Sequence, residues 1–490
     1  MLSTTASFWP LAAILIPLLG AVPILLSDRR PNLRESWTLL AGLGLFAAVA
    51  SMLPRILGGE ELVFTIVEVL PAVPLQLRVD AFGLFFALVA SFLWFFTSVY
   101  SIGYMRALQE HGQTRYYASF AVAIAATIGV AFSANLLTLY LFYELLSLST
   151  YPLVTHEQNA QARASGRKYL TYILGTSIGL VLPAMLITYA LAGTLDFAAG
   201  GILAGKASLP VVALLLGLYV LGFAKAGIMP MHAWLPAAMV APTPVSSFLH
   251  GVAVVKVGVF SILRVIFDIF SPDLLRSFDL GTALTWFVAI TIMAASLVAL
   301  TQDNLKRRLA YSTVAQLSYM VLGAAMLSTA GMTGGMLHIA MHAFGKITLF
   351  FCAGAIYVAS HKKYISEMDG LGRRMPITYL AFFLGALSII GMPPLGGFIS
   401  KWQLLIGALQ SDQSGLVVVL LVSSMLNAAY FLPIIYRGFF APTPEGEAAT
   451  GLQEAPVFCL LPLAVTSLGS LALFFYPDLL LRLVQLAISR

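Results

Sequence analysis

Residues 225–258 read KAGIMPMHAWLPAAMVAPTPVSSFLHGVAVVKVG, and this stretch decides the fold. It is long and apolar enough for membrane helices, yet it carries Lys225, His250 and Lys256 in its interior and Pro230 early in its course. A charge near the bilayer centre costs about 2.5–3.5 kcal/mol even on the lenient insertion scale. Such residues therefore face inward, toward partners or water. Proline removes a helix hydrogen bond and clashes with the preceding turn, so Met229-Pro230 should break its helix. A broken helix inside a membrane persists where protein or water re-satisfies the backbone.

The same pattern recurs on both sides of this stretch. Glu144 sits mid-helix in LTLYLFYELLSLSTYPL at 137–153. Lys346 closes a stripe with His338 and His342 in GGMLHIAMHAFGKITLF at 334–350. Lys401 follows the second break, Gly391-Met392-Pro393-Pro394, within GFISKWQLL at 397–405. One carboxylate and four lysines thus lie inside otherwise apolar segments.

The rest of the composition agrees with a membrane protein. The chain has 490 residues, 60% hydrophobic and 10% charged, with mean hydropathy +0.92. Soluble domains carry about 25% charged residues. The net charge of +6 does not mark a nucleic-acid binder, because the basic residues are scattered between apolar runs. Cys352 and Cys459 have no CxxC or Cys/His spacing, which argues against an iron–sulfur or zinc site built on cysteine and against a disulfide framework. No P-loop, dinucleotide fingerprint or GxSxG is present, and no cofactor or metal is expected. Basic residues follow the first apolar stretch rather than precede it, so it reads as a spanning helix and not a cleaved signal.

A span needs about 20 apolar residues. About fourteen emerge: 10–27, 36–57, 81–104, 116–133, 135–154, 167–192, 210–240, 243–267, 282–302, 308–329, 335–359, 376–411, 415–440 and 455–485. The fold class is therefore all-α integral membrane, one polytopic domain over 1–490. Placing the N-terminus outside puts sixteen Lys/Arg in inward loops and seven outward, the outward set including Arg264 and Arg490. That bias follows the positive-inside rule and places both termini outside. Interrupted helices in both halves also point to inverted repeats around a midplane site.

Each intramembrane group has a chemical reading. Glu144 needs a cation or a proton, and Lys225 is its candidate partner; a pair that forms and breaks is a proton gate. His250 titrates near physiological pH in its unperturbed state. His338, His342 and Lys346 recur at i, i+4 and i+8 and share one helix face. Two histidines at that spacing can hold a metal, but no third ligand stands nearby in sequence, so a proton relay is preferred. Lys401, beside the second break, is the candidate terminal donor.

Together with VDAFGLFF at 79–86, Tyr143-Glu144, LKRRLAYSTVAQLSYM at 305–320, LHIAMHAFGK at 337–346 and PPLGGFISKW at 393–402, the opening stretch gives a specific resemblance. The chain resembles the antiporter-like subunits shared by respiratory complex I, multisubunit Mrp cation/proton antiporters and membrane-bound hydrogenases. Its length and Lys401 make it most similar to an Mrp D-type subunit. The resemblance implies fourteen helices, with two inverted five-helix repeats at 115–267 and 282–440 and breaks in helices seven (Pro230) and twelve (Pro393, Pro394). It implies a hydrated proton axis running Glu144, Lys225, Lys256, Lys346 with its histidines, Lys401. It also implies Mrp-type partner subunits, lipid, monovalent cations and a bacterial inner membrane. The expected function is the proton-translocating subunit of a Na⁺(K⁺)/H⁺ antiporter. The alternatives are the proton-pumping module of a quinone oxidoreductase or hydrogenase complex, and a proton-flux subunit for inorganic-carbon uptake.

Overall fold

A computed structural model describes residues 3–70, 73–442 and 451–489; Arg490, counted above with the outward charges, lies outside them. Every expected span is helical. They run as α1 (Trp9–Leu26), α2 (Pro31–Ser51), α3 (Ala81–Ala107), α4 (Gln113–Ala131), α5 (Leu136–Val154) and α6 (Ala160–Thr176, continuing through a π turn into Leu182–Ala192). Next come α7a (Leu209–Gly222) with α7b (Trp234–Ala237), α8a (Thr243–Gly251) with α8b (Val254–Arg264), α9 (Leu280–Thr301), α10 (Leu305–Ala325) and α11 (Thr329–Ser360). The series ends with α12a (Pro376–Ile390), α12b (Gly396–Gln410), α13 (Ser414–Phe440), α14 (Val457–Phe475) and α15 (Asp478–Ile488). Among the described residues nine helices are by themselves long and apolar enough to cross a membrane; α7a and α12a are shorter apolar halves. Outer helices expose Leu297, Met425, Leu461 and Leu468, as expected where lipid is the solvent. The span of α11, by contrast, is buried throughout and forms the centre of the bundle.

Three features differ from the expected layout. The last span stops at Phe475, because Tyr476 and Pro477 turn the chain into the separate helix α15. A small sheet adds to the all-α class: β1 (Ser3–Ala6) pairs parallel with β2 (Glu60–Leu70), which pairs antiparallel with β3 (Val73–Val79). The third is a break in the eighth span at Val252 and Ala253, with no proline at the unwound residues.

The sheet marks one end of the bundle, where Leu77 bridges Ser133. A polar cavity of about 660 Å³ opens between inter-helix loops that include Glu110, Glu157, Ala241 and Lys363, with Lys306 from the first turn of α10. Helix α5 starts at the sheet end, whereas α10 starts beside the cavity. Their N-caps correspond: Asn135 accepts from Thr138 N, and Asn304, 169 residues on, accepts from Arg307 N. Each asparagine also bridges the segment that follows the next helix, at Asp196 and at Tyr364. The five helices α4–α8 and the five helices α9–α13 therefore follow one another with nearly constant spacing and opposite starting ends.

Candidate functional site

The first break begins earlier than its proline. Helix α7a stops at Gly222, and Lys225 sits in a 3₁₀ turn, Ala224–Ala226, closed by Gly227 at φ +67°. The turn packs against α8b at Gly258: a Cβ there would lie 2.1 Å from Ala226 N and 2.4 Å from Lys225 C. Only glycine permits this approach. The indole of Trp234 donates to the freed Ala224 carbonyl at 2.9 Å.

Lys225 Nζ donates to Tyr143 O at 2.7 Å and to Ser147 Oγ at 2.6 Å, and lies over the Tyr143 ring. The expected Glu144–Lys225 pair is not formed. Tyr143 and Ser147 occupy one face of α5 at i, i+4, whereas Glu144 points about 100° away around the helix. Both Glu144 carboxylate oxygens are buried without a hydrogen-bond partner.

His250 is fully buried, its ring 6.5 Å from Trp234 and 5.3 Å from Phe350, and neither ring nitrogen is hydrogen-bonded. Its backbone carbonyl, freed by the break after α8a, accepts from Lys256 Nζ at 3.0 Å. Lys256 also meets His342 Nδ1 at 2.8 Å. The His342 and His338 rings stand 5.8 Å apart, as the i, i+4 spacing requires. His338 Nδ1 meets Ser400 Oγ at 2.8 Å, and His338 Nε2 meets Gln316 Oε1 at 2.9 Å. A hydroxyl and a carboxamide each offer donors and acceptors, so this pair can hold His338 as either tautomer or as the cation.

Lys401 adjoins Ser400 in the chain. Its Nζ donates to Ile390 O, freed where α12a ends, at 3.1 Å, and to Ser424 Oγ at 3.0 Å. The ring of Tyr319 lies between it and His338. Lys346 stands off this line: it donates to Ser312 Oγ at 2.8 Å and to Leu309 O at 3.5 Å, with Tyr430 and Asn427 behind Ser312. The structure thus joins Lys256, His342 and His338, and brings Lys401 toward His338 across the Tyr319 ring. Lys225 and Lys346 form separate centres, and Glu144 and His250 stand apart. Ser147, Ser312, Gln316, Ser400, Ser424 and Tyr430 were not singled out from sequence. Ser312 and Gln316 lie in the quoted 305–320 stretch, and Ser400 in 393–402, but nothing in their spacing reveals partners on other helices.

Arg264, grouped above with outward-loop charges, is buried in α8b. It donates to Asp80 Oδ1 at 2.6 Å and to Asp268 Oδ2 at 3.0 Å, tying the start of α3 to the end of α8b.

This is a polytopic membrane protein with buried cations arrayed across the middle of a helical bundle. Residues 133–427 match the family described as NADH:quinone oxidoreductase/Mrp antiporter, TM, and residues 71–117 match complex I chain 5 N-terminus. Subunit N of NADH-quinone oxidoreductase from Desulforudis audaxviator is 31% identical over 98% of both chains. Hydrogenase-4 component B of Escherichia coli is 33% identical over 78% of this chain and 59% of its own length. A chain of the Mrp complex of a Dietzia strain shares the fold, with TM-score 0.87 and 23% identity over 98% and 96% of the two chains. The chain belongs to the NADH:quinone oxidoreductase/Mrp antiporter membrane-subunit family.

Proposed function

We propose that this chain translocates protons as one membrane subunit of a multisubunit Na⁺(K⁺)/H⁺ antiporter. The observation that carries the reading is the line Lys256–His342–His338–Tyr319–Lys401, which runs through the buried centre of the bundle. Its steps are the Lys256–His342 hydrogen bond at 2.8 Å, the 5.8 Å between the two imidazole rings, and the Tyr319 ring, 5.7 Å from His338 and 4.8 Å from Lys401 Nζ. Lys225, with Glu144 nearby on α5, serves the first five-helix repeat (115–267), and Lys346 with Lys401 serves the second (282–440). The cavity beside Lys306 supplies inward access, and both termini face outward in a bacterial inner membrane. Partner subunits handle the coupling cation, because the line holds no cluster of carboxylates to bind one.

The test is cation-dependent dissipation of a pH gradient by the whole complex in proteoliposomes. Lys256→Ala, Lys225→Ala and Glu144→Gln should each abolish it; full antiport in any of them refutes that residue's role. A second reading, the proton-pumping arm of a redox complex, draws on the quinone-oxidoreductase and hydrogenase relatives. Mass spectrometry of co-purifying chains separates the two: flavin, iron–sulfur or nickel subunits favour the second.

A further inference from the structure

Apart from the proton line, one group of potential ligands draws together at the inward end. Glu110 and His111 lie in the loop between α3 and α4, and His156 follows the end of α5. One ligand atom from each lies within 4.8 Å of the others. Glu110 Oε2 is 3.9 Å from His156 Nε2, and the two imidazole rings are 4.8 Å apart, tilted by 32°. His156 is fully buried, yet neither of its ring nitrogens has a hydrogen-bond partner. A buried polar group in that condition costs free energy unless something else satisfies it. Its backbone is meanwhile fixed, because His156 O accepts from His111 Nε2 at 3.0 Å and from an Arg115 guanidinium nitrogen at 3.1 Å.

We infer that Glu110, His111 and His156 form a binding site for a transition-metal dication of the Zn²⁺ class. Two imidazoles and a carboxylate are the borderline donor set such ions prefer over Mg²⁺ or Ca²⁺, which take oxygen. Zinc ligands sit about 2.0–2.2 Å from the metal, so the three side chains close by roughly 1 Å on binding. His111 is exposed, and its Nδ1 remains available while Nε2 holds His156 O. Glu157, next in the chain, borders the neighbouring cavity together with Glu110, opposite Lys306, Arg307, Lys362 and Lys363. An ion held here clamps the α3–α4 loop to the end of α5, the helix that carries Glu144. Under the transport reading above, it is therefore a brake on the first repeat. Binding itself is independent of that reading and is measured separately.

The experiment is metal analysis of the complex, purified in mild detergent and equilibrated with micromolar Zn²⁺, with Co²⁺ absorption as the coordination readout. The unaltered complex should hold one equivalent more than His111→Ala or His156→Gln, and His361→Ala, an exposed control, should match the unaltered complex. His111→Ala leaves the buried ring in place, so its loss of metal cannot be assigned to misfolding if its elution profile is unchanged. No bound equivalent in the unaltered complex, or the same content in His111→Ala, overturns the site. If the equivalent is present and antiport is unaffected by it, the site stands and the brake falls.

Discussion

Gly258→Ala tests the geometry around Lys225 without touching any ionisable group. The new Cβ would sit 2.1 Å from Ala226 N and 2.4 Å from Lys225 C, whereas ordinary contacts are 3.4–4 Å. Both obstacles are backbone atoms, so no side-chain rotation relieves the clash. Either α8b or the 3₁₀ turn must move by about 1 Å or more, and overpacking of this kind costs about 1–3 kcal/mol. The hydrogen bonds from Lys225 Nζ to Ser147 and Tyr143 start at 2.6 and 2.7 Å; such a shift takes them beyond bonding range. Hydrogen bonds to a charged group contribute about 1.5–3 kcal/mol each. One such loss in the transport barrier corresponds to roughly tenfold or more in rate. Gly217→Ala is the control, since a Cβ there meets nothing within 4 Å. The assay is gradient dissipation in proteoliposomes, normalised to complex content. Wild-type transport by Gly258→Ala at normal abundance refutes the claim that the break must lie against α8b for Lys225 to work.

Other expectations follow from the same contacts. Asp80→Asn and Asp80→Ala weaken the buried Arg264 cluster; removing one partner of a buried pair costs about 3–5 kcal/mol, so Asp80→Ala should lower the melting temperature in detergent more than Asp80→Asn. Ser400→Ala should slow proton transfer with little loss of stability, and Gln316→Leu should do the same, read as transport per assembled complex. Ser312→Ala removes the hydroxyl that serves Lys346 and should impair transport, while Ser467→Ala on α14, whose hydroxyl bonds only within its own helix, should not.

Hydropathy made the spans legible because a helix in lipid has to be apolar along its length; charge sorting failed at Arg264, which is buried in α8b rather than in a loop. Local signals placed the breaks less well. Pro230 pointed to the right helix, but unwinding starts at Phe223, where packing against Gly258 decides the matter. The α8 break was invisible: Val252 and Ala253 are unremarkable, and the carbonyl they release is used by Lys256 from the next turn. The sheet had a local signal in the β-branched run Val63, Thr65, Ile66, Val67 and Val69, but the span reading leaves 58–80 unassigned between two helices. Partners such as Ser424 and Gln316 come from helices far away in sequence, and pairwise distance is not written in a single chain.

The four intramembrane lysines share one coordination pattern, which under the proposed transport role suits proton transfer better than ion pairs would. Each Nζ meets one backbone carbonyl and one neutral side-chain group: Tyr143 O with Ser147, His250 O with His342, Leu309 O with Ser312, and Ile390 O with Ser424. None of these partners is a carboxylate. A carboxylate at 2.8 Å in this core would hold the ammonium so tightly that its proton could not leave. A carbonyl and a hydroxyl compensate the buried charge only in part. When Lys225, Lys346 or Lys401 gives up its proton, its serine hydroxyl can rotate to donate to the amine, so both states stay hydrogen-bonded. The carbonyls at Ile390 and His250 are free because their helices are broken there. Under the proposed transport role, the breaks at His250 and Ile390 supply main-chain acceptors that a continuous helix would have consumed.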